Sequence, residues 1–209
     1  QSDLTTALSL PIDHLSAYAL SVEEATPLKR LIENQTLSLP TDETTWNMYQ
    51  RLCESTRQHG FRHYEISNFC LPHAHSRHNS GYWHSRPYLG IGPGAHSYDG
   101  NARHFNPLNL QEYIDKEGIT QRTTEVLTKE EQCNEFVFTA LRTCEGLNLQ
   151  LLEQKFGKPF AADILEWAKP HIDNANLTYN NNVLQLTEQG IFVSNDVMSD
   201  LMHLEEEEA

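Results

Sequence analysis

RHYEISNF, at residues 62–69, is rich in strand-forming residues, and HLSAYALSV, at residues 14–22, has the apolar character of a buried strand. A helix is predicted between them, because Thr41 or Asp42 can cap its N-terminus and Gly60 can supply the left-handed residue that ends it. Two strands joined by a helix form a βαβ unit, in which the strands are parallel with a right-handed crossover. The first half of the chain is therefore predicted to have an α/β fold.

The later part of the chain is predicted to be mostly helical. Thr128 and Glu131 form a capping box that opens a helix ending near Gly146. A short helix is predicted before it, at residues 109–117, and two helices are predicted after it, at residues 148–156 and 159–175, the second with a break near Pro170. A hairpin at residues 177–186 and a final helix from residue 187 onward, which carries Leu204, follow them. Three helices with a two-stranded wing predict a winged-helix-like domain. We place the domains at residues 1–106 and 107–209.

The segment between these regions, residues 70–106, lacks clear periodicity and is predicted to be a loop. Eight of the 11 histidines fall between positions 59 and 104. The segment leaves the carboxyl end of a strand, where parallel α/β folds build their sites, and long loops in compact domains are usually functional. We therefore expect the functional site in this segment.

Charge and composition narrow the classes of function. The chain has 209 residues and a net charge of −14, and the acidic excess is concentrated in residues 120–209, which disfavours nucleic-acid binding. No apolar run is long enough to span a membrane. The four cysteines are widely separated, which excludes a CxxC motif and suits a reducing compartment, so we expect a cytoplasmic protein.

Three patterns in the loop could carry chemistry. His73, His75 and His78 could meet a metal ion, as in a metalloenzyme, or could simply belong to a solvated loop. The run HNSGYW at residues 78–83 combines an imidazole, which can bind haem iron, with aromatics that can stack on a macrocycle or pack structurally. The glycines of residues 90–95 fit a dinucleotide pattern only loosely, so we interpret them as positions of close backbone approach.

Longer stretches of the chain resemble a known family. HYEISNF at 63–69, SRHNSGYW at 76–83 and PYLGIGPGAHSY at 87–98 resemble consecutive motifs of the oxygen-independent coproporphyrinogen III oxidase-like radical SAM proteins, in their haem-chaperone branch. The resemblance implies the last βαβ part of a partial (β/α)6 barrel. In the family this barrel carries a [4Fe–4S] cluster and S-adenosylmethionine. This sequence has no cluster-binding cysteine loop, so it resembles the C-terminal half and is expected to be inactive alone in radical chemistry.

The resemblance also implies roles for single residues. The H-N-x-x-Y-W motif associated with haem falls on His78, Asn79, Tyr82 and Trp83, with His78 as the candidate iron ligand. Arginines beside it could pair with haem propionates, namely Arg77, Arg86 and Arg103. The residues implied to line the cavity for S-adenosylmethionine and substrate are Ser80, Gly81, Ala95, His96, Glu65 and Asn68.

The leading functional hypothesis is a haem chaperone that binds haem and delivers it to acceptor proteins. A second is an oxidase that decarboxylates coproporphyrinogen III to protoporphyrinogen IX. A third, from another class, is a winged-helix module that binds a protein partner through residues 120–209. The exposed edge of the strand at residues 14–22 further predicts self-association of this chain.

Overall fold

The computed structural model describes residues 2–115 and 122–203. The chain divides between His75 and Ser76 into two compact units, which we call the N-terminal and C-terminal units. The domain boundary predicted after residue 106 lies inside the C-terminal unit and stays a prediction. None of the described helices is both long and apolar enough to cross a membrane.

Among residues 2–75, the N-terminal unit contains three helices and three short strands. They are α1 (Ser2–Ser9), β1 (His14–Ser16), α2 (Pro27–Glu33), α3 (Asp42–Gln58), β2 (Arg62–Glu65) and β3 (Asn68–Cys70). Helix α3 begins as predicted, because the Thr41 hydroxyl accepts the Thr44 N–H at 3.2 Å. The helix stops just before Gly60, which has a φ of +82°.

The strand pairing predicted for this unit is wrong. Residues 62–69 form a hairpin of β2 and β3 rather than one strand, and the sheet order is β1-β3-β2 with antiparallel pairs. Strands β1 and β2 do run in the same direction, but β3 lies between them. The hairpin forms because the chain turns at Ile66 and Ser67, where the Glu65 carboxylate accepts the Ser67 N–H at 3.1 Å. Strand β1 also ends at Ser16, well short of residue 22.

A small apolar core joins α3 to this sheet. Cys53 from α3 packs with Phe61 and Phe69, and Tyr49 and Leu52 lie against them. Tyr49, Leu52 and Cys53 therefore lie on the inner face of α3. The His63 ring stacks on Phe69 at 4.1 Å between centroids, and burial lowers the pKa of His63.

The C-terminal unit contains the remaining elements. They are α4 (Arg77–Trp83), β4 (His96–Tyr98), β5 (Ala102–Phe105), α5 (Leu110–Asp115), β6 (Thr123–Val126), α6 (Lys129–Leu141), β7 (Leu147–Asn148), α7 (Leu149–Phe156), α8 (Lys158–Asp173), β8 (Leu177–Asn180), β9 (Val183–Leu186), α9 (Glu188–Phe192) and α10 (Ser194–Asp200). Its two sheets have the strand orders β4-β5-β6 and β7-β9-β8. Both contain only antiparallel pairs.

The segment predicted as a loop contains regular structure. It holds helix α4 and the hairpin of β4 and β5, which the sequence reading missed. The turn of this hairpin is built by Asp99, whose carboxylate accepts the N–H groups of Asn101 and Ala102, each at 2.8 Å. These two bonds, with one from His104, lower the pKa of Asp99 to about 2. In the sequence, the dipeptide Asp99-Gly100 is the pattern that indicates this hairpin turn.

The helices after residue 127 follow the prediction with two differences. The capping box of Thr128 and Glu131 is present at the start of α6. Helix α8 runs through Pro170 without the predicted break and ends three residues later at Asp173, so Pro170 costs the helix one N–H donor but does not interrupt it. The single final helix is two helices, α9 and α10, separated at Val193. Leu204, residues 116–118 of the short helix and the Glu205–Glu208 run lie outside the described residues.

The predicted hairpin of β8 and β9 is confirmed. Asn181 and Asn182 have φ values of +51° and +63°, as a tight two-residue turn requires. The core beside this hairpin consists of fully buried apolar side chains from α6, α7, α8, α10 and the sheet, including Val137, Leu141, Leu152, Ile164, Leu184 and Met198.

Candidate functional site

Helix α4 carries the H-N-x-x-Y-W residues. It begins at the cap Ser76, whose hydroxyl accepts the Asn79 N–H at 3.2 Å. His78 and Tyr82 are four residues apart and therefore share one face of the helix, where their rings meet edge to face at 4.9 Å. The side chains of Arg77 and His78 are exposed. The helix thus presents an accessible imidazole held beside an aromatic ring.

Three tyrosines continue from this helix toward the β4–β5 hairpin. The ring of Tyr82 meets that of Tyr88 at 4.7 Å, and the ring of Tyr88 lies 6.3 Å from that of Tyr98. The backbones of Tyr88 and Tyr98 are joined by two hydrogen bonds of 2.9 and 3.0 Å. Burial raises the pKa of both Tyr88 and Tyr98, so both stay neutral phenols near neutral pH.

An open cleft of about 490 Å³ lies beside these tyrosines, and we call it the aromatic cleft. Its volume is in the range of small-molecule sites. Five aromatic side chains line it, namely Tyr82, Trp83, Tyr88, Tyr98 and Phe138. Its charged lining consists of Arg86, Arg103, Glu125, Glu131 and Glu135. The cleft can therefore take a flat apolar ligand that carries charged groups at its rim.

One ion pair lies in the wall of the aromatic cleft. A guanidinium nitrogen of Arg103, on β5, is 2.5 Å from a carboxylate oxygen of Glu135, on α6. Burial raises the pKa of Glu135, the neighbouring carboxylates of Glu125 and Glu131 raise it further, and Arg103 opposes that rise. The ionised form of Glu135 therefore depends on Arg103.

Trp83 is held differently from the tyrosines. The Arg142 guanidinium lies over its ring at 4.6 Å and also lies 5.3 Å from the Phe138 ring. The indole Nε1 of Trp83 is buried and has no hydrogen-bond partner in the described part of the chain. A buried donor without an acceptor is uncommon, and here it belongs to a residue that lines the cleft.

The predicted cofactor residues Ala95 and His96 lie at a glycine-rich turn. A Cβ on Gly90 would lie 2.1 Å from the His96 carbonyl oxygen, which confirms that this glycine permits close backbone approach. The N–H of Gly90 donates to the Ser97 hydroxyl at 2.9 Å, and the N–H of Gly94 donates to the Pro107 carbonyl at 2.8 Å. These turn N–H groups are thus already used within the protein. The His96 ring is exposed and meets Phe105 at 4.4 Å.

Glu65 and Asn68 belong to the N-terminal unit, whereas the other predicted site residues belong to the C-terminal unit. Both are buried, at 1% and 2% exposure, and the Asn68 amide donates to the Glu65 carboxylate. The Ser16 hydroxyl donates to Asn68 Oδ1 at 2.6 Å. Within this unit, the two residues close the β2–β3 turn and join it to β1.

The described histidines and cysteines do not gather into a metal site. No group of three histidine, cysteine or acidic side chains suited to a metal ion occurs among residues 2–115 and 122–203. His73 and His75 lie in the N-terminal unit and His78 in the other. The thiols of Cys53, Cys70 and Cys133 are buried, and burial raises the pKa of Cys133 to about 11. These residues therefore do not fit the ligand set of an iron–sulfur cluster.

Part of the cleft lining was missed from the sequence. Tyr88 lies inside a quoted motif but was given no role, and Glu135 and Phe138 were interpreted only as parts of a helix. The helical period does not mark Glu135, because it lies on the side of α6 away from the buried Cys133, Val137 and Leu141. The partner Arg103 is 32 positions away in sequence, and no local pattern links the two.

Comparisons with known proteins agree on one family. The family profile described as "HemN C-terminal domain" matches residues 127–193. The chain is 33% identical over 200 residues to the heme chaperone HemW of Bacillus subtilis (strain 168), a match that covers 94% of this chain and 53% of that protein. It is 44% identical over 96 residues to "Radical S-adenosyl methionine domain-containing protein 1, mitochondrial" of Danio rerio, covering 46% of this chain and 22% of that protein.

A solved structure has a similar fold. Coproporphyrinogen III oxidase (HemN) from Escherichia coli, described as a radical SAM enzyme, superposes with a TM-score of 0.70 at 17% identity. The superposition covers 95% of this chain and 50% of that one. This similarity of fold confirms the mixed α/β class that the sequence predicts. The chain spans about half the length of the curated relatives it matches over most of its residues.

Proposed function

Because the chain belongs to the family of oxygen-independent coproporphyrinogen III oxidase-like radical SAM proteins, we propose that it is the C-terminal half of a haem chaperone. The whole protein would bind haem and deliver it to acceptor proteins. The proposal is supported by two relatives named heme chaperone HemW, which match 94% of this chain at 33% and 32% identity.

The observation that carries the proposal is the position of helix α4 beside the aromatic cleft. Two of its motif residues, Tyr82 and Trp83, line the cleft, and His78 touches Tyr82 at the helix surface. Haem is a flat apolar disc with an iron atom and two propionates. It therefore needs aromatic walls, an imidazole and cations, which this region supplies within one unit.

Each of the motif residues has a proposed role. His78 binds the haem iron, since its imidazole is exposed and neutral imidazole is a common iron ligand. Tyr82 and Trp83 contact the macrocycle, and Asn79, next to His78 on the helix, is a further proposed haem contact. Arg77, at the start of α4, and the cleft residues Arg86 and Arg103 are the cations available to the propionates.

The cluster and S-adenosylmethionine are proposed only for the longer protein. A [4Fe–4S] cluster and S-adenosylmethionine would supply radical chemistry there, and this chain's cysteines do not fit the cluster. The proposed neighbours of the S-adenosylmethionine and substrate cavity are Ser80, Gly81, Ala95, His96, Glu65 and Asn68. We derive no reaction step from them.

Two further features of the parent are proposed. The first is a winged-helix-like domain, which is supported by the order helix, strand, two helices and two strands from α6 to β9 and by the three-stranded sheet β7-β9-β8. We also propose that the remaining residues of the parent complete a partial barrel with the N-terminal unit. A cytoplasmic location is supported by the four cysteines, all within the described residues, which form no disulfide with one another.

A haemin titration of this chain, followed at the Soret band, tests the proposal. We expect saturable binding near one haemin per chain, weakened roughly tenfold or more by His78→Ala, because an axial ligand is lost. His84→Ala is the matched control, since His84 is also exposed and lies at the end of the same helix. Its affinity should stay within about twofold of the unchanged chain.

The outcomes separate the proposal from its alternative. Equal weakening by both histidine variants, or the absence of saturable binding, would contradict the assignment of His78. In that case the full-length protein should be assayed for conversion of coproporphyrinogen III to protoporphyrinogen IX. Turnover there would favour the oxidase.

A further inference from the structure

The charged lining of the aromatic cleft does not simply favour an anionic ligand. It contains two arginines, Arg86 and Arg103, but three glutamates, Glu125, Glu131 and Glu135. A porphyrin with two propionates would meet more negative than positive side chains. The cleft therefore gains from a way to release Arg103, which is paired with Glu135, when such a ligand enters.

The Arg103–Glu135 ion pair provides that way. The two side chains are 2.5 Å apart, and their exposed fractions are 41% for Arg103 and 28% for Glu135. The pair is thus reachable from the cleft. A planar guanidinium binds carboxylates through parallel N–H donors, and a propionate is chemically equivalent to the Glu135 side chain. A ligand carboxylate can therefore replace Glu135 on Arg103.

The surroundings of Glu135 make it a strong competitor for Arg103. Glu125 on β6 and Glu131 on α6 oppose its negative charge, and partial burial does the same, while Lys155 on α7 and Arg103 support the charge. The displaced carboxylate is thus one that the protein holds ionised mainly through Arg103. When the ligand leaves, Glu135 can recapture Arg103 without movement of a chain segment.

The aromatic wall fits the same ligand. Tyr88 and Tyr98 lie close enough to Arg103 and Glu135 for both charges to influence their titration. Trp83 adds a buried indole N–H that has no acceptor in the described chain. The ion pair is therefore flanked by flat rings rather than by bulk solvent alone.

We propose that Glu135 is an internal competitor for the haem propionate, and that exchange on Arg103 sets the affinity and the release rate of haem in the aromatic cleft. This inference rests on the proposed haem-chaperone function. It assigns a specificity to the cleft as well, because only a porphyrin with free carboxylates can displace Glu135. A porphyrin with blocked carboxylates leaves the ion pair intact.

Haemin titrations of single and double variants test the inference. Glu135→Gln should raise haemin affinity roughly five- to tenfold and slow transfer of haem to apomyoglobin by a similar factor, because the competitor is removed. Arg103→Gln should lower haemin affinity, and Arg103→Lys should lie between, since it keeps the charge but loses the planar donor pair. In the double variant Arg103→Gln/Glu135→Gln, the gain from Glu135→Gln should vanish.

Two controls distinguish competition from general charge effects. Glu130→Gln removes the same charge from the same helix, α6, at an exposed position outside the cleft lining and leaves the ion pair in place, so it should change haemin affinity no more than about twofold. Haemin dimethyl ester, whose carboxylates are blocked, should bind the Glu135→Gln variant and the unchanged chain equally. Circular dichroism of each variant checks that the fold is retained.

These titrations distinguish failure of the competitor role of Glu135 from failure of the haem-chaperone proposal. If haemin binds with the His78 dependence described above but Glu135→Gln and Glu130→Gln act alike, the competitor role is overturned and the chaperone proposal stands. If Glu135→Gln weakens binding, the role is overturned too. If haemin does not bind any variant saturably, both proposals fail together.

Discussion

At the scale of single residues, Gly81 and Gly90 are glycines for different physical reasons. A Cβ on Gly81, inside helix α4, would have no heavy atom within 4 Å, so space does not require glycine there. A Cβ on Gly90 would lie 2.1 Å from the His96 carbonyl oxygen and 2.9 Å from its nitrogen. The backbone near His96 can pass this point only because Gly90 lacks a side chain.

The two substitutions to alanine should therefore have opposite effects on the free energy of unfolding. Gly90→Ala should destabilise the protein by about 2–4 kcal/mol, because backbone rather than a movable side chain must shift. Gly81→Ala should stabilise it by up to about 1 kcal/mol through helix propensity. Urea unfolding followed by tryptophan fluorescence measures both. A Gly90→Ala protein as stable as the unchanged chain would contradict the close approach.

At the scale of elements, α6 is the helix that places Glu135 and Phe138 in the wall of the cleft. Its start is fixed by a reciprocal cap. The Thr128 hydroxyl accepts the Glu131 N–H at 3.2 Å, and the Glu131 carboxylate accepts the Thr128 N–H at 2.6 Å. Two otherwise unpaired N–H groups are satisfied within four residues, independently of the rest of the fold.

Loss of this cap should lower stability by a modest amount. Thr128→Ala removes the hydroxyl acceptor and should destabilise the protein by about 1 kcal/mol, seen as a lower urea midpoint with an unchanged slope. Thr128→Ser keeps the hydroxyl and serves as the matched control, with a midpoint close to that of the unchanged chain. Equal midpoints for the alanine and serine variants would show that the cap contributes nothing to stability.

At the scale of the whole molecule, the sheet of the N-terminal unit has an open edge. Strand β1 is an edge strand, paired with β3 alone among the described residues. Beyond it, Tyr18 and Leu20 are 73% and 67% exposed. An edge strand followed by exposed apolar side chains is a template for pairing with a second chain.

We therefore expect this chain to associate with itself as its concentration rises. Sedimentation velocity should give a sedimentation coefficient that increases with concentration, and Tyr18→Lys/Leu20→Lys should abolish the increase by placing charges along the edge. Leu151→Lys, at an exposed apolar position on α7, is the control and should leave the association unchanged. A monomer at all concentrations would refute the expectation.

Some features of this protein were determined by the sequence alone. Helices α3 and α6 begin at Thr41 and Thr128 as predicted, and the β8–β9 hairpin turns at Asn181 and Asn182. These signals act between residues at most four apart, so composition and spacing suffice to read them. The quoted motifs likewise led to the family and to the residues of α4 before any contact was known.

Other features were decided only by the tertiary structure. Strand β3 entered between β1 and β2, which no periodicity of residues 62–69 indicated. The contact between Arg103 and Glu135 joins a strand to a helix across 32 positions, and the ring of Tyr88 lies between that of Tyr82 on α4 and that of Tyr98 on β4. Such contacts depend on how elements pack, and packing is set by the summed burial of many side chains rather than by local propensity.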